Sequence, residues 1–250
     1  GWNLSRSVSP MLTTQWHQGA PFKLRFPIST SWTIWAPPGC VTIAVAQIMN
    51  YHQFPRNYCD WSLVNQYNPK KLLEENDQDV LDEVALLSKK VAGGCRVECN
   101  FFGSGETFST PAKAKRFLRD MGYTGIEKHL GYDADVIKTT LNKGCPVFIG
   151  ALASSNHGHA WVIDGYLNYE NIIKTYNGPA TLLETKTVNK LFVHCNWGWQ
   201  STRKNGYYAS KVFDTRNGPA DLSGYPVATR GIDTKNYTWW FRIVTYNKPR

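Results

Sequence analysis

Pro37–His52 reads PPGCVTIAVAQIMNYH, and the whole chain organises itself around it. Pro37, Pro38 and Gly39 force a tight turn that feeds Cys40 into the first turn of a helix. Val41, Ala44, Val45 and Ile48 recur at helical spacing, while Ile43, Ala46 and Met49 fill much of the opposite side. A helix apolar nearly all round is buried, and Phe54-Pro55 stops it. The Cys40 sulfur therefore sits where unpaired backbone N–H groups and the positive end of a helix dipole favour a thiolate. A free cysteine is also a small core hydrophobe, so position alone leaves packing and chemistry both open.

Working outward, the first 36 residues are rich in Ser, Thr, Pro and Trp and read as ordered coil wrapping a core. A second helix is expected from about Asp79 to Val91, closed by Gly93-Gly94. A third starts at Thr110-Pro111, a cap followed by proline in the first turn, and a fourth runs from about Asp133 to Asn142. After Pro146 the period shortens. VFIGAL, HAWVIDGYL, KLFVHCNWGW, GYYASKVF and YTWWFRIVTY are β-branched and aromatic runs separated by Gly, Asn and Pro, as antiparallel strands read. Helices first and strands second argue for an α+β fold of two lobes rather than alternating βαβ units.

With 250 residues, 42% of them hydrophobic and only 19% charged, burial can offset chain entropy. No apolar run approaches the roughly 18 residues that cross a bilayer, and no charged-then-apolar leader stands at Gly1. The chain lacks an initiator Met and reads as a trimmed or processed form. The net charge of +9 is scattered in short pairs such as Lys70-Lys71 and Lys89-Lys90, not gathered into a stripe, so nucleic acid is not an expected partner. Six cysteines, at 40, 59, 95, 99, 145 and 195, are too few for a disulfide scaffold of this length, and no paired CxxC units suggest zinc. Cys95 and Cys99 could pair or bind a metal. With Cys40 free, at least one more of the other five is unpaired.

A thiolate nucleophile needs an imidazole to hold the ion pair and protonate the leaving amine. Of six histidines, His52 ends the buried helix and reads as structural, and His129 lies in a loop. His157 and His159 flank Gly158 before AWVIDGY, and His159 opens the strand while His157 stays one step back. Asn196 in HCNWGWQ offers an amide to accept from the ring N–H, with Trp197 and Trp199 to shield that bond. Gln18 in WHQGAPF has an amide that, with the Cys40 N–H, can bind an oxyanion. Read singly, Gln18 is a surface residue and Asn196 a turn residue.

GCVTIAVAQIMNYHQFP, GHAWVIDGY and NWGW, in that order and preceded by WHQGAPF, resemble the streptopain family of bacterial cysteine peptidases, relatives of papain. The resemblance implies a papain-like fold, with an N-terminal helical lobe around the buried central helix, a C-terminal antiparallel β-barrel-like lobe, and the active site in the cleft between them. It places the nucleophile on Cys40, the catalytic histidine on His159 and the oxyanion glutamine on Gln18, with Asn196 and Trp197 supporting His159. It implies a single mature catalytic domain over 1–250, helical at about 37–145 and β-rich at about 146–250, with the coil of 1–36 wrapping both. It further implies a monomer acting on extended polypeptide substrates, with an apolar side chain favoured next but one before the cut. No metal or organic cofactor is needed. Synthesis as a zymogen with an inhibitory N-terminal propeptide, and export to the medium or cell surface of a bacterium, also follow from it.

Two departures stand out. The step of 37 positions from His159 to Asn196 exceeds the family's expected spacing, so NYENIIKTYNGPATLLETKTVNK reads as an enlarged loop or hairpin near the cleft. Glycine is expected after the second Trp of NWGW, where this chain has Gln200 and Ser201. The alternatives are a cell-wall amidase or endopeptidase using the same dyad, and a non-catalytic binding protein on the same fold.

Overall fold

A computed structural model describes residues 1–26, 36–99, 107–200, 204–220 and 235–250. In chain order the elements are β1 (Asn3–Val8), α1 (Cys40–His52), α2 (Trp61–Val64), a 3-10 turn at Leu73–Glu75, α3 (Gln78–Gly94), β2 (Glu98–Cys99) and β3 (Thr107–Phe108). There follow α4 (Pro111–Asp120), β4 (Glu127–Leu130), α5 (Ala134–Asn142), β5 (Val147–Ser154), β6 (His157–Asn177) and β7 (Thr181–Asn196). The chain closes with β8 (Gly206–Ala209), β9 (Phe213–Asp214), β10 (Asn236–Tyr237) and β11 (Trp239–Thr245). Helices thus dominate the first part and strands the second, as the periodicity requires.

Local chemistry accounts for most helix ends. Thr110 caps α4 by accepting from the Lys113 N–H, with Pro111 in the first turn. Asp133 caps α5 by accepting from Asp135 and Val136. α1 differs, because Gly39 at its N-cap has φ +88° and offers no side chain to the first-turn N–H groups. A Cβ at Gly39 would also meet Thr107 Oγ1 at 3.0 Å. Those N–H groups are left for another acceptor.

Every residue of α1 from Val41 to Asn50 is buried. The helix packs against α3 and α4 on one side and β5 and β6 on the other. One apolar cluster gathers Val41, Ile43, Ala44, Val45, Ile48 and Met49 with Trp16, Phe22, Val84, Leu87, Phe117 and Phe148. A second, on the sheet, joins Ile149, Trp161, Ile163, Trp197, Tyr208, Phe213 and Ile243 with Ile137 and Leu141 of α5. The helical part of the sequence therefore gives β4 and α5 to the sheet side.

The principal sheet runs β4-β11-β5-β6-β7-β8, with β1 joined to β6, and every one of these pairs is antiparallel. It is an open path, so the barrel-like description is loose. Closure would need β4 and β8 to pair, yet each is four residues long and lies at an edge. Three further readings shift. β1 is a strand where coil was expected, with Asn3 opposite Glu170. His129 lies in β4, opposite Ile243, instead of in a loop. The expected enlargement before Asn196 is a hairpin: β6 and β7 pair from Val162–Asn196 out to Asn177–Thr181, and both strands are exposed over 172–187.

Candidate active site

Cys40 opens α1, half-buried, with its sulfur among the main-chain N–H groups of Ala160, Val41 and Cys40 itself. Burial pushes the thiol up, and these three N–H groups oppose it. The other described free thiols have no such cradle. Burial raises Cys59 and Cys95 to about 12, and it raises Cys145 and Cys195 as well. The uncapped first turn of α1 is thus aimed at a sulfur, and β6 supplies the third N–H from the residue that follows His159.

His159 is 8% exposed, in the third residue pair from the β5–β6 turn, opposite Ala151 of β5. Its Nε2 lies 2.8 Å from the Trp197 carbonyl oxygen. A carbonyl only accepts, so Nε2 carries the proton of that bond. The imidazole lies 4.5 Å from the Trp199 ring, 5.9 Å from Trp197 at 18° and 6.2 Å from Trp161 at 10°, centroid to centroid. These indoles crowd the imidazole and shield the Nε2 bond from solvent.

Asn196 is engaged one step behind the histidine. Its Oδ1 accepts from Gln47 Nε2 and from the Gly198 N–H, each at 3.2 Å, and its Nδ2 donates to the Thr14 carbonyl at 2.8 Å. The ring N–H of His159 meets the main chain of Trp197 instead of the Asn196 amide. Trp197 is fully buried, and its main-chain N–H donates to Asn205 Oδ1 at 2.9 Å. Gln18 is half-buried in the bend after Trp16. That bend is tied to the NWGW segment, since the Gln200 N–H donates to the Trp16 carbonyl at 3.4 Å.

The departure after NWGW has a visible consequence. Gln200 adopts φ +57°, the left-handed backbone that suits the glycine expected near there. Its side chain holds the strained turn by donating to the Pro69 carbonyl at 3.0 Å. Ser201 lies outside the described residues. Gln47 and Asn205 escaped the sequence reading as site residues. Gln47 left one signal: it is one of two amides, with Asn50, in a largely apolar buried helix.

The remaining histidines stand elsewhere. His17 Nδ1 accepts from the Gly19 N–H, and its Nε2 pairs with Tyr67 Oη at 3.4 Å. His52 pairs with Tyr246 Oη and His129 with Thr245 Oγ1, each at 3.0 Å. His157 pairs with Ser154, and His194 with the buried Asp164 carboxylate at 2.6 Å. Among the described residues no group of three His, Cys, Asp or Glu is placed to hold a metal ion, and no helix is long and apolar enough to cross a membrane. A cavity of about 410 Å³ lies between Thr13–Trp16 and Val64–Lys70, lined by neither Cys40 nor His159.

No curated protein sequence matches the chain. Among solved structures, the active wild-type interpain A cysteine protease of Prevotella intermedia is 21% identical, with a TM-score of 0.68 over 96% of this chain and 95% of its own. A prointerpain A fragment from the same organism, also 21% identical, gives a TM-score of 0.63 over 98% of this chain and 74% of its own. At this identity the likeness shows a shared fold. The sequence model described as the Peptidase C10 family matches residues 16–208, from the tryptophan ahead of Gln18 through Cys40 and His159 to Tyr208 in β8. A match of that span, over the same fold as a cysteine protease, makes this chain a cysteine-type peptidase and a member of the peptidase C10 family, the streptopain family.

Proposed function

We propose that the peptidase acts through a Cys40 thiolate and a His159 imidazolium, cleaving within polypeptide chains by way of an acyl-enzyme. The thiolate attacks the scissile carbonyl carbon and forms a C–S bond. His159 protonates the departing amine as the C–N bond breaks. Water then loses a proton to neutral His159, attacks the thioester and releases the acid while the proton returns to the dyad. Gln18 and the Cys40 N–H stabilise the oxyanion. The observation that carries this reading is the placing of the Cys40 sulfur against the Ala160 N–H, next to a histidine whose Nε2 proton is committed to Trp197.

The chain serves as a single mature catalytic domain over 1–250, monomeric, and exported by a bacterium. A propeptide restrains it in the precursor, a reading supported by the likeness to prointerpain A. Casein hydrolysis is the direct test. Wild-type protein is expected to cleave casein and to be labelled once, at Cys40, by a thiol-directed peptidyl epoxide, while Cys40→Ala does neither. Equal cleavage by the two proteins overturns the reading. Purified cell wall, run alongside, is expected to stay intact.

A further inference from the structure

We propose that Gln47 is a positioning residue for His159, acting through Asn196 and the Trp197–Gly198 peptide, so that the helix carrying the nucleophile also aligns its acid–base partner. The proposal rests on the Cys40–His159 reading. Gln47 lies two turns along α1 from Cys40 and is wholly buried. A buried carboxamide is costly unless both its ends are paired. Here both are: Thr14 Oγ1 donates to Gln47 Oε1 at 2.7 Å, and Gln47 Nε2 donates to Asn196 Oδ1 at 3.2 Å. Asn196 Nδ2 then returns to the Thr14 carbonyl at 2.8 Å, closing a cycle that fixes the orientation of both amides.

The same Asn196 Oδ1 accepts from the Gly198 N–H at 3.2 Å. That N–H belongs to the planar peptide whose carbonyl, on Trp197, holds His159 Nε2 at 2.8 Å. One rigid plane is therefore gripped at its N–H end by Asn196 and at its C=O end by the imidazole. From His159 to Asn196 the bonds run in one sense, Nε2 donating to the peptide and the peptide to Asn196 Oδ1, so that each polarises the next. Gln47 Nε2 donates to that same oxygen from the other side and anchors it. The turn is laid directly on α1: Gly198 has φ +68°, and a Cβ there would meet Ile43 Cγ2 at 2.9 Å and Gln47 Nε2 at 4.0 Å. Loss of the Gln47 donor frees Asn196 to rotate, tilts the peptide plane and slackens the only acceptor that the plane offers to Nε2.

The test is the pH dependence of Cys40 alkylation by iodoacetamide, read with peptide kinetics and thermal melting on the full chain. Gln47→Met is expected to shift the acid limb of alkylation by about half a pH unit or more. It should lower kcat by about tenfold while KM changes by less than about twofold. Gln47→Glu, which keeps the shape but presents an acceptor to Asn196 Oδ1, should move the profile too, and it carries the comparison if the Met variant does not fold. Asn50→Leu is the control, since Asn50 is on the same helix and pairs with Asn65, away from the Trp197 peptide. It should lower the melting temperature without shifting the profile. A profile unmoved in both Gln47 variants, or moved equally in Asn50→Leu, overturns the proposal. His159→Ala separates the two readings: if it leaves the alkylation profile unchanged, the dyad itself is refuted.

Discussion

Cys40 and the other described thiols differ in what surrounds the sulfur and not in burial alone. Three main-chain N–H groups face Cys40, whereas at Cys95 burial is opposed by the charge of Arg116 and by no main-chain N–H. The histidines divide in the same way. Burial drives His17 and His52 down to about 4, with Lys248 adding to the effect at His52. Both are neutral in the fold and protonate more readily once unfolded. Their stabilisation is complete above about pH 6.5 and is lost as pH falls from there towards 4, at about 1–3 kcal/mol apiece. His52→Gln keeps a partner for Tyr246 but cannot titrate. The drop in melting temperature between pH 7 and pH 4.5 should therefore be smaller in His52→Gln than in the native protein, and equal drops would contradict the assignment.

The helices and strands contribute very unequally to stability. Ile48 is fully buried in α1, among residues from both sides of the helix. Ile48→Ala should cost about 2–5 kcal/mol in urea unfolding, because the close-packed surroundings relax only in part. The outer β6–β7 hairpin is the opposite case. Ile172, Ile173, Tyr176, Leu182 and Leu183 are all exposed, so its strands bury little against the body. Replacing Ile172–Thr187 by Asn-Gly, a turn suited to the antiparallel pair Asn171–Val188, should leave the melting temperature within about 3 °C and hydrolysis of a short peptide within about twofold. A larger loss of either would show that the arm supports the cleft.

The molecule is held together across its full length by contacts that join distant parts of the chain. Asp164 is wholly buried in β6, with one carboxylate oxygen on His194 and the other accepting the Leu12 N–H at 2.8 Å. The Met11 N–H donates to the Asp164 carbonyl at 3.1 Å, so the segment after β1 is tied to β6, the strand that carries His159. Asp164→Ala leaves His194 and the Leu12 N–H without their acceptor. Breaking such a buried pair from one side should cost about 3–5 kcal/mol in chemical denaturation, and a loss below about 1 kcal/mol would refute the tie.

Helix order, the buried character of α1, the cap at Thr110, and the strand runs after Pro146 were legible from residue order alone. Each depends on periodicity or on a side chain bonding within three residues, and such short-range physics is written along the chain. The motifs also named Cys40, His159, Gln18, Asn196 and Trp197 as the residues to examine. Other features were illegible because they depend on distant partners. β1 is a strand through pairing with β6, the sheet stays open because its four-residue edge strands lie apart, and Gln47 finds Asn196 149 positions away. Which atom holds the His159 ring is a question of the same kind: a carbonyl on Trp197 and a side-chain amide on Asn196 are adjacent in sequence, and the folding of the Gly198 turn onto α1 is what turns the carbonyl towards the ring.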